Sequence, residues 1–240
     1  MERDRNIAAR DAILGSIREH LAASAPHDAV HAEGEHKLEV AELEVKVPPP
    51  NGTSRSLIDI FSENLKAVGG HSTVARHEDE VVAAVTSIIS DLQKTPLRAR
   101  RIALSDAPAV DRFARQMAVD VDDITESPSA AELFDYDVGI STAQAAIAET
   151  GTLLLKSESE RHRLVSLVPP VHIAIVDAAD ICLTLGEALA AVGRGSELSP
   201  TITLITGPSR TADIELTLAI GVHGPQELYV IVNEGTPLKG

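Results

Sequence analysis

From Leu57 onward, apolar residues at helical spacing alternate with short continuous apolar runs, and this alternation constrains the fold more than any other feature of the chain. Leu57, Phe61, Leu65 and Val68 share one helical face, closed by Gly69 and Gly70 as C-terminal punctuation. A short strand follows, from Ser72 to Arg76. Val81, Val82, Val85, Ile88, Ile89 and Leu92 then line a second helix, Arg101 to Ser105 reads as a strand, and Ala109 to Met117 as a helix. Beyond these the strand signals strengthen: Asp137 to Ser141, Gly151 to Lys156, Val171 to Asp177, Thr201 to Thr206 and Glu227 to Asn233. One helix is expected from Ile181 to Val192 and another opening after Ser209. Strands separated by helices predict βαβ crossovers, hence an α/β fold with a mostly parallel sheet flanked by helices. Continuous apolar runs such as Val171, Ile173, Ile175 and Val176 suit strands buried on both faces.

A length of 240 residues accommodates one sizeable core plus an arm. Residues 56–240 read as the α/β domain and residues 1–55 as the arm. From Asp4 to Ser24, Ile7, Ile13, Leu14, Ile17 and Leu21 form one apolar stripe, predicting an amphipathic helix. Pro, Gly, His and Glu dominate the connection from Ala25 to Arg55, and Pro48, Pro49 and Pro50 extend it. The helix is therefore expected to pack on the main domain or on another chain, which makes it the candidate for oligomerisation.

Charge and thiol count narrow the partners. A formal charge of −15 and a pI near 4.9 repel phosphate backbones, and Arg98, Arg100 and Arg101 have no interleaved aromatics on which bases could stack, so nucleic acid is not expected. Between Gln116 and Leu155 there is no Lys or Arg, and that acidic run reads as a solvated face or, less simply, a docking surface for a basic partner. Cys182 is the only cysteine, so the chain forms no internal disulfide and lacks the thiolates of an iron-sulfur or structural zinc site. The charged start and the lack of any membrane-length apolar run predict a cytoplasmic protein without a membrane anchor.

Three loops carry the polar residues that could bind or react. In Ala148-Glu149-Thr150-Gly151-Thr152, glycine permits close backbone approach while a carboxylate and two hydroxyls share one turn. The same residues also make a turn capped by its own side chains. Gly207-Pro208-Ser209-Arg210-Thr211-Ala212-Asp213-Ile214-Glu215 follows a strand, with Ser209 or Thr211 as the expected N-cap of a helix and Asp213 and Glu215 in its first turn. It suits an anionic or hydroxylated ligand, and equally plain helix punctuation. Gly221-Val222-His223-Gly224-Pro225 places a histidine between glycines, where it could exchange a proton or simply complete a turn. Because open α/β sheets bind ligands outside the carboxyl ends of their strands, such loops are the expected place for a site. His172, within an apolar strand, reads as a core or sheet-edge histidine. His27, His31 and His36 lie in the flexible connection and make a poor metal site, so none is assigned. No Walker loop, dinucleotide fingerprint or nucleophile elbow is present.

Asp137-Val138-Gly139-Ile140-Ser141, Ala146-Ile147-Ala148-Glu149-Thr150-Gly151-Thr152, Gly207-Pro208-Ser209 through Thr211-Ala212-Asp213-Ile214-Glu215, and Gly221-Val222-His223-Gly224-Pro225 together resemble the LutC-type lactate utilization proteins of the LUD domain family. Similarity runs from Phe61 to Val232. It implies the fold shared by ribose-phosphate isomerases, glucosamine-phosphate deaminases and CoA transferases, with the active-site region at strand ends. The resemblance also implies a role in growth on L-lactate beside two other proteins, one carrying iron-sulfur clusters. This chain would be a non-redox component of lactate-to-pyruvate oxidation, with no cofactor of its own. A small anion or carboxylate would be its ligand, held by Thr150, Gly151, Thr152, Gly207, Pro208, Ser209, Thr211, Asp213, Glu215 and Gly224, with Glu149 and His223 as candidate catalytic groups.

Two alternatives stay open. In CoA transferases a glutamate closely followed by glycine is the acyl-carrying nucleophile, and Glu149 before Thr150-Gly151 resembles that turn, which would make the chain an acyl-transferring or phosphosugar-handling enzyme. The other is a non-catalytic ligand sensor or scaffold gripping a partner through the N-terminal helix.

Overall fold

The structure is a computed structural model that describes Gly15 and residues 56–157, 160–192, 201–211, 219–220 and 224–238. The expected N-terminal helix lies outside the described residues except for Gly15, which is helical. So do Asp213, Glu215 and His223.

The domain begins with α1 (Leu57–Ala67), capped by Ser56, whose hydroxyl oxygen accepts from the Asp59 amide at 3.1 Å. β1 (His71–Ala75), α2 (Glu78–Leu92), β2 (Arg101–Leu104), α3 (Pro108–Ala114), β3 (Asp123–Glu126) and β4 (Val138–Thr142) follow. Next come β5 (Ala145–Ile147), β6 (Thr152–Lys156), α4 (Glu160–Val165), β7 (Val171–Asp177), β8 (Ile181–Cys182) and α5 (Leu185–Val192). Finally, β9 (Ile202–Ile205), the two-residue strands β10 (Arg210–Thr211) and β11 (Ala219–Ile220), and β12 (Glu227–Asn233) complete the described elements.

Six strands form a wholly parallel sheet in the order β1-β12-β7-β4-β2-β3, the α/β architecture that the alternating pattern predicts. Successive residues of β7 bury on opposite faces. Ile173 and Ile175 pack with Val85 and Ile89 of α2 and Phe113 of α3, whereas Ala174 and Val176 pack with Phe61 and Leu65 of α1. This double burial is why β7 and β12 are apolar at nearly every position.

The second face is shared with a four-stranded sheet, β8-β5-β6-β9, that the sequence reading did not separate from the first. Leu153 and Leu155 of β6 point inward to α1 and the large sheet, while Leu154 points outward and packs with Ala188 of α5. One expectation is corrected here. The helix expected from Ile181 begins only at Leu185, because Ile181 and Cys182 pair with Ala146 and Ile147 as β8. After Ser209, Arg210 and Thr211 pair antiparallel with Ile220 and Ala219, and the remainder of the helix expected there lies outside the described residues. Among the described residues no helix is long and apolar enough to cross a membrane.

Candidate functional site

Antiparallel pairing brings the first two polar loops together. Register between β6 and β9 sets Leu153 opposite Ile205, so Thr152 and Thr206 fall side by side one step further. Thr150 Oγ1 lies 2.7 Å from Thr152 Oγ1, which lies 2.7 Å from Thr206 Oγ1, giving a hydroxyl chain that joins the Glu149 turn to the Gly207 turn. Thr206 escaped the sequence reading, although counting back along an antiparallel β6-β9 pair would have found it.

Both turns are also clamped to the C-terminal end of α1. Asn64 Nδ2 donates to the Ala148 carbonyl at 2.8 Å, and Arg210 Nη2 donates to the Val68 carbonyl at 2.7 Å. Gly151 and Gly207 have φ of +64° and +86°, the left-handed region where a Cβ is strained. A Cβ on Gly151 would strike the Leu65 backbone nitrogen, and one on Gly207 would stand 2.8 Å from the Val68 carbonyl oxygen. The room these glycines leave is therefore filled by α1, and packing alone accounts for both.

Glu149 is exposed. Its amide donates to the Leu183 carbonyl at 3.1 Å and its Oε1 accepts from the Leu185 amide at 3.4 Å, at the start of α5. Glu187 Oε2 accepts from Leu183 and Thr184 amides at 2.9 and 3.2 Å in the same place. The carboxylate of Glu149 thus faces the α5 N-terminus, where helix amides favour negative charge.

The second and third loops meet over a cleft. Ser209 donates its amide to the Pro225 carbonyl at 2.8 Å, and a Cβ on Gly224 would lie 3.2 Å from Ser209 Cβ. Beneath them is a cleft of about 180 Å³ whose lining includes Thr206, Gly207, Ser209 and Gly224, together with Ser166 and His172. Its apolar lining includes Leu204 of β9 and Leu228 of β12, so the cleft opens between the two sheets. Neither Glu149 nor Pro208 lines it. Thr211 belongs to β10, next along the chain.

His172 is wholly buried, second in β7 and in register with Gly139 of β4 and Leu228 of β12. Its Nε2 lies 2.9 Å from Ser141 Oγ, a contact that suits a core histidine, yet the ring also forms part of the cleft lining. This cleft lies at the amino ends of β7 and β12, not at the carboxyl ends to which the general rule for open sheets had pointed.

At those carboxyl ends is a different arrangement. Asn233 Nδ2 donates to Asp177 Oδ1 at 2.7 Å and to the Thr236 carbonyl at 2.8 Å, and Asp177 Oδ2 accepts from the Leu238 amide at 2.9 Å. The hollow beside this network measures about 430 Å³, and Asp177, Asp180 and Glu234 contribute to its lining.

Two arginines, Arg100 and Arg101, pair with four carboxylates of the acidic run, Asp120, Asp122, Asp123 and Asp135. Arg100 Nη2 sits 2.7 Å from Asp122, whose carboxyl the guanidinium holds below its ordinary range. Asp123 accepts from the Tyr136 hydroxyl at 2.9 Å and lies 3.6 Å from Arg101, contacts that likewise lower its carboxyl, Tyr136 first. A solvated, internally paired face describes these residues.

The LUD domain family model matches residues 58–232. The chain belongs to the LUD domain family. A Lactate utilization protein C from Halalkalibacterium halodurans is 29% identical over 194 residues, 76% of this chain and 81% of that one. Another from Macrococcus caseolyticus is 41% identical over 103 residues, covering 41% of this chain and 45% of that protein. An uncharacterized protein from Neisseria meningitidis serogroup B is 46% identical over 98 residues, 40% of this chain and 42% of that protein. For the last two, the match spans less than half the relative's length. Among solved structures, a DUF162 family protein from Deinococcus radiodurans shares 25% identity with a TM-score of 0.56, covering 74% of this chain and 96% of that chain. All three polar loops fall inside the matched span, and the N-terminal arm falls outside it.

Proposed function

We propose that this chain serves lactate utilization as a cytoplasmic, non-redox component that acts beside an iron-sulfur partner in the oxidation of L-lactate to pyruvate. The observation that carries the reading is the joint one: a LUD domain over residues 58–232, and a Lactate utilization protein C aligned over three quarters of the chain. Cysteine chemistry supports the division of labour. An iron-sulfur cluster needs several thiolates and Cys182 is alone, so a cluster in the pathway has to be held by another chain. Deleting the gene should abolish growth on L-lactate while leaving growth on pyruvate intact, and the tagged protein should copurify with an iron-sulfur protein. Undiminished growth on L-lactate in the deletion strain would overturn the reading.

One observation favours a second reading, acyl transfer through Glu149. Its carboxylate is exposed at a tight turn, and the only partner it has among the described hydrogen bonds is the Leu185 amide at 3.4 Å. Attack on a thioester carbonyl would form a glutamyl anhydride and release the CoA thiolate. Incubation with acyl-CoA, borohydride trapping and intact mass analysis would separate the two readings: this one requires modification at Glu149, and the first requires none.

A further inference from the structure

We infer that the cleft between the two sheets is a binding site for a short monocarboxylate, and that His172 on its floor takes up a proton as the anion enters. Three observations converge on this.

The first is size. At about 180 Å³ the cleft falls well below the roughly 300–1,000 Å³ typical of pockets for drug-sized ligands, so it suits a molecule of a few heavy atoms and not a nucleotide or the body of a CoA.

The second is the lining. Leu204, Leu228 and Pro225 supply apolar wall, while Thr206 and Ser209 supply hydroxyls, the mixture that holds a short carbon chain at one end and a polar group at the other. No Lys, Arg, Asp or Glu is among the described lining residues. A carboxylate entering such a place loses water and meets no fixed positive charge, which is costly unless a neighbouring group becomes cationic.

The third is His172. Among the described lining residues it is the side chain able to gain a positive charge near neutral pH. It sits at the second position of a strand that is otherwise apolar through Val176, at the end where residues of β9 and β12 share the cleft with it. Ser141 Oγ, 2.9 Å from Nε2, can accept from the imidazolium as well as it can donate to the neutral ring, so the same contact supports either charge state.

Three charged groups on the surrounding elements are engaged elsewhere. Asp137, ahead of β4, accepts from the Arg100 and Arg101 amides at 2.8 and 2.9 Å; Glu227, opening β12, pairs with His71 at 3.5 Å; and Arg210, in β10, donates to Val68. Arg163 of α4 donates nothing to the cleft in the described contacts, and its carbonyl accepts from Ser166 Oγ at 2.7 Å. β9 carries no charged residue. An anion paired with protonated His172 would make a neutral unit in this setting, and binding would tighten as pH falls through the histidine range.

The choice of L-lactate and pyruvate as probes rests on the lactate reading above, while the site itself rests on geometry. Isothermal titration of the full chain with L-lactate, pyruvate and acetate, from pH about 5 to about 8 in buffers of different ionisation enthalpy, tests it over the span where an imidazole changes charge. One saturable site is expected, with buffer-dependent heat that reports proton uptake and affinity that falls at least about tenfold across the range. His172→Gln should remove the proton uptake and the pH dependence. Ser209→Leu, at the rim and outside the core, should block binding whether or not the His172 variant folds well. Absence of binding by all three acids, or binding that survives Ser209→Leu or stays pH-dependent in a folded His172→Gln protein, would overturn the inference. A growth defect on L-lactate in the deletion strain together with no binding would leave the pathway reading standing and remove this one.

Discussion

The two ends of the six-stranded sheet carry opposite kinds of polar surface. At the carboxyl ends of β7 and β12 the hollow is the larger, about 430 Å³ against about 180 Å³, but three carboxylates help to line it. Its two buried polar side chains, Asp177 and Asn233, bind each other and the segment from Thr236 to Leu238. At the amino ends the smaller cleft shows hydroxyls, backbone and an imidazole, with no carboxylate among its described lining. For an anionic ligand the comparison decides the site, since a ring of carboxylates repels what a protonatable histidine attracts. Volume alone would favour the carboxyl end.

The most damaging change should be at the clamp that supports the amino end. Gly151→Ala forces a Cβ into left-handed backbone and against the Leu65 nitrogen. Left-handed strain of about 1–2 kcal/mol and overpacking of about 1–3 kcal/mol together predict a loss of about 2–5 kcal/mol in urea denaturation. An unchanged midpoint would show that α1 does not rest on this turn.

A pair of variants then sharpens the contrast between the ends. Asp177→Ala leaves the Asn233 amide and the Leu238 N–H without their buried acceptor, and should cost about 2 kcal/mol of stability while leaving carboxylate affinity unchanged. Ser209→Leu should do the reverse, moving stability by no more than about 0.5 kcal/mol and abolishing binding. If Asp177→Ala weakens binding as much as Ser209→Leu does, the two ends are not functionally distinct.

A smaller effect is expected at Glu149. Its 3.4 Å contact with the Leu185 amide is long, and interaction with an exposed helix start is worth about 0.3–1 kcal/mol, so Glu149→Gln should cost about 0.5 kcal/mol or less. Loss of lactate-dependent growth in that variant, without loss of folded protein, would favour a chemical role for the carboxylate over a capping one.

How much of this was legible depended on how each element buries its residues. β7 and β12 match their expected bounds to the residue, because a strand buried on both faces leaves an unbroken apolar run. β8 was absorbed into a helix because Ile181, Leu185 and Ala188 also sit at helical spacing, and two residues carry no period of their own. The strand at Arg210–Thr211 was hidden in the same way behind good capping residues. At the site, Gly207, Ser209 and Gly224 stood out as polar punctuation, and the structure brings them together. His172 and Ser166 did not, since a histidine in an apolar run looks like core. Their place in the cleft follows from the order β4-β7-β12, which no local stretch of sequence encodes.

The smallest expected effect tests whether the paired acidic face contributes to the amino end at all. Tyr136→Phe keeps the buried ring, over which the Arg101 guanidinium lies at 4.9 Å, and deletes only the hydroxyl that donates to Asp123 at 2.9 Å. That hydroxyl is the largest cause holding the Asp123 carboxyl below its ordinary value. A carboxyl depressed in the folded state stabilises above its unfolded pKa of about 3.9 and loses that contribution as pH falls through the folded value. The variant should therefore lose a few tenths of a kcal/mol at neutral pH, a size set by the 36% exposure of the Asp123 side chain and the screening that follows. Below the folded pKa of Asp123 the difference should shrink, because there the wild-type carboxyl is protonated as well. Urea titrations at pH about 7 and at successively lower pH follow the difference. A destabilisation that stays constant as pH falls would mean that the hydroxyl acts through packing and not through the carboxylate charge, and that the acidic face is merely solvated.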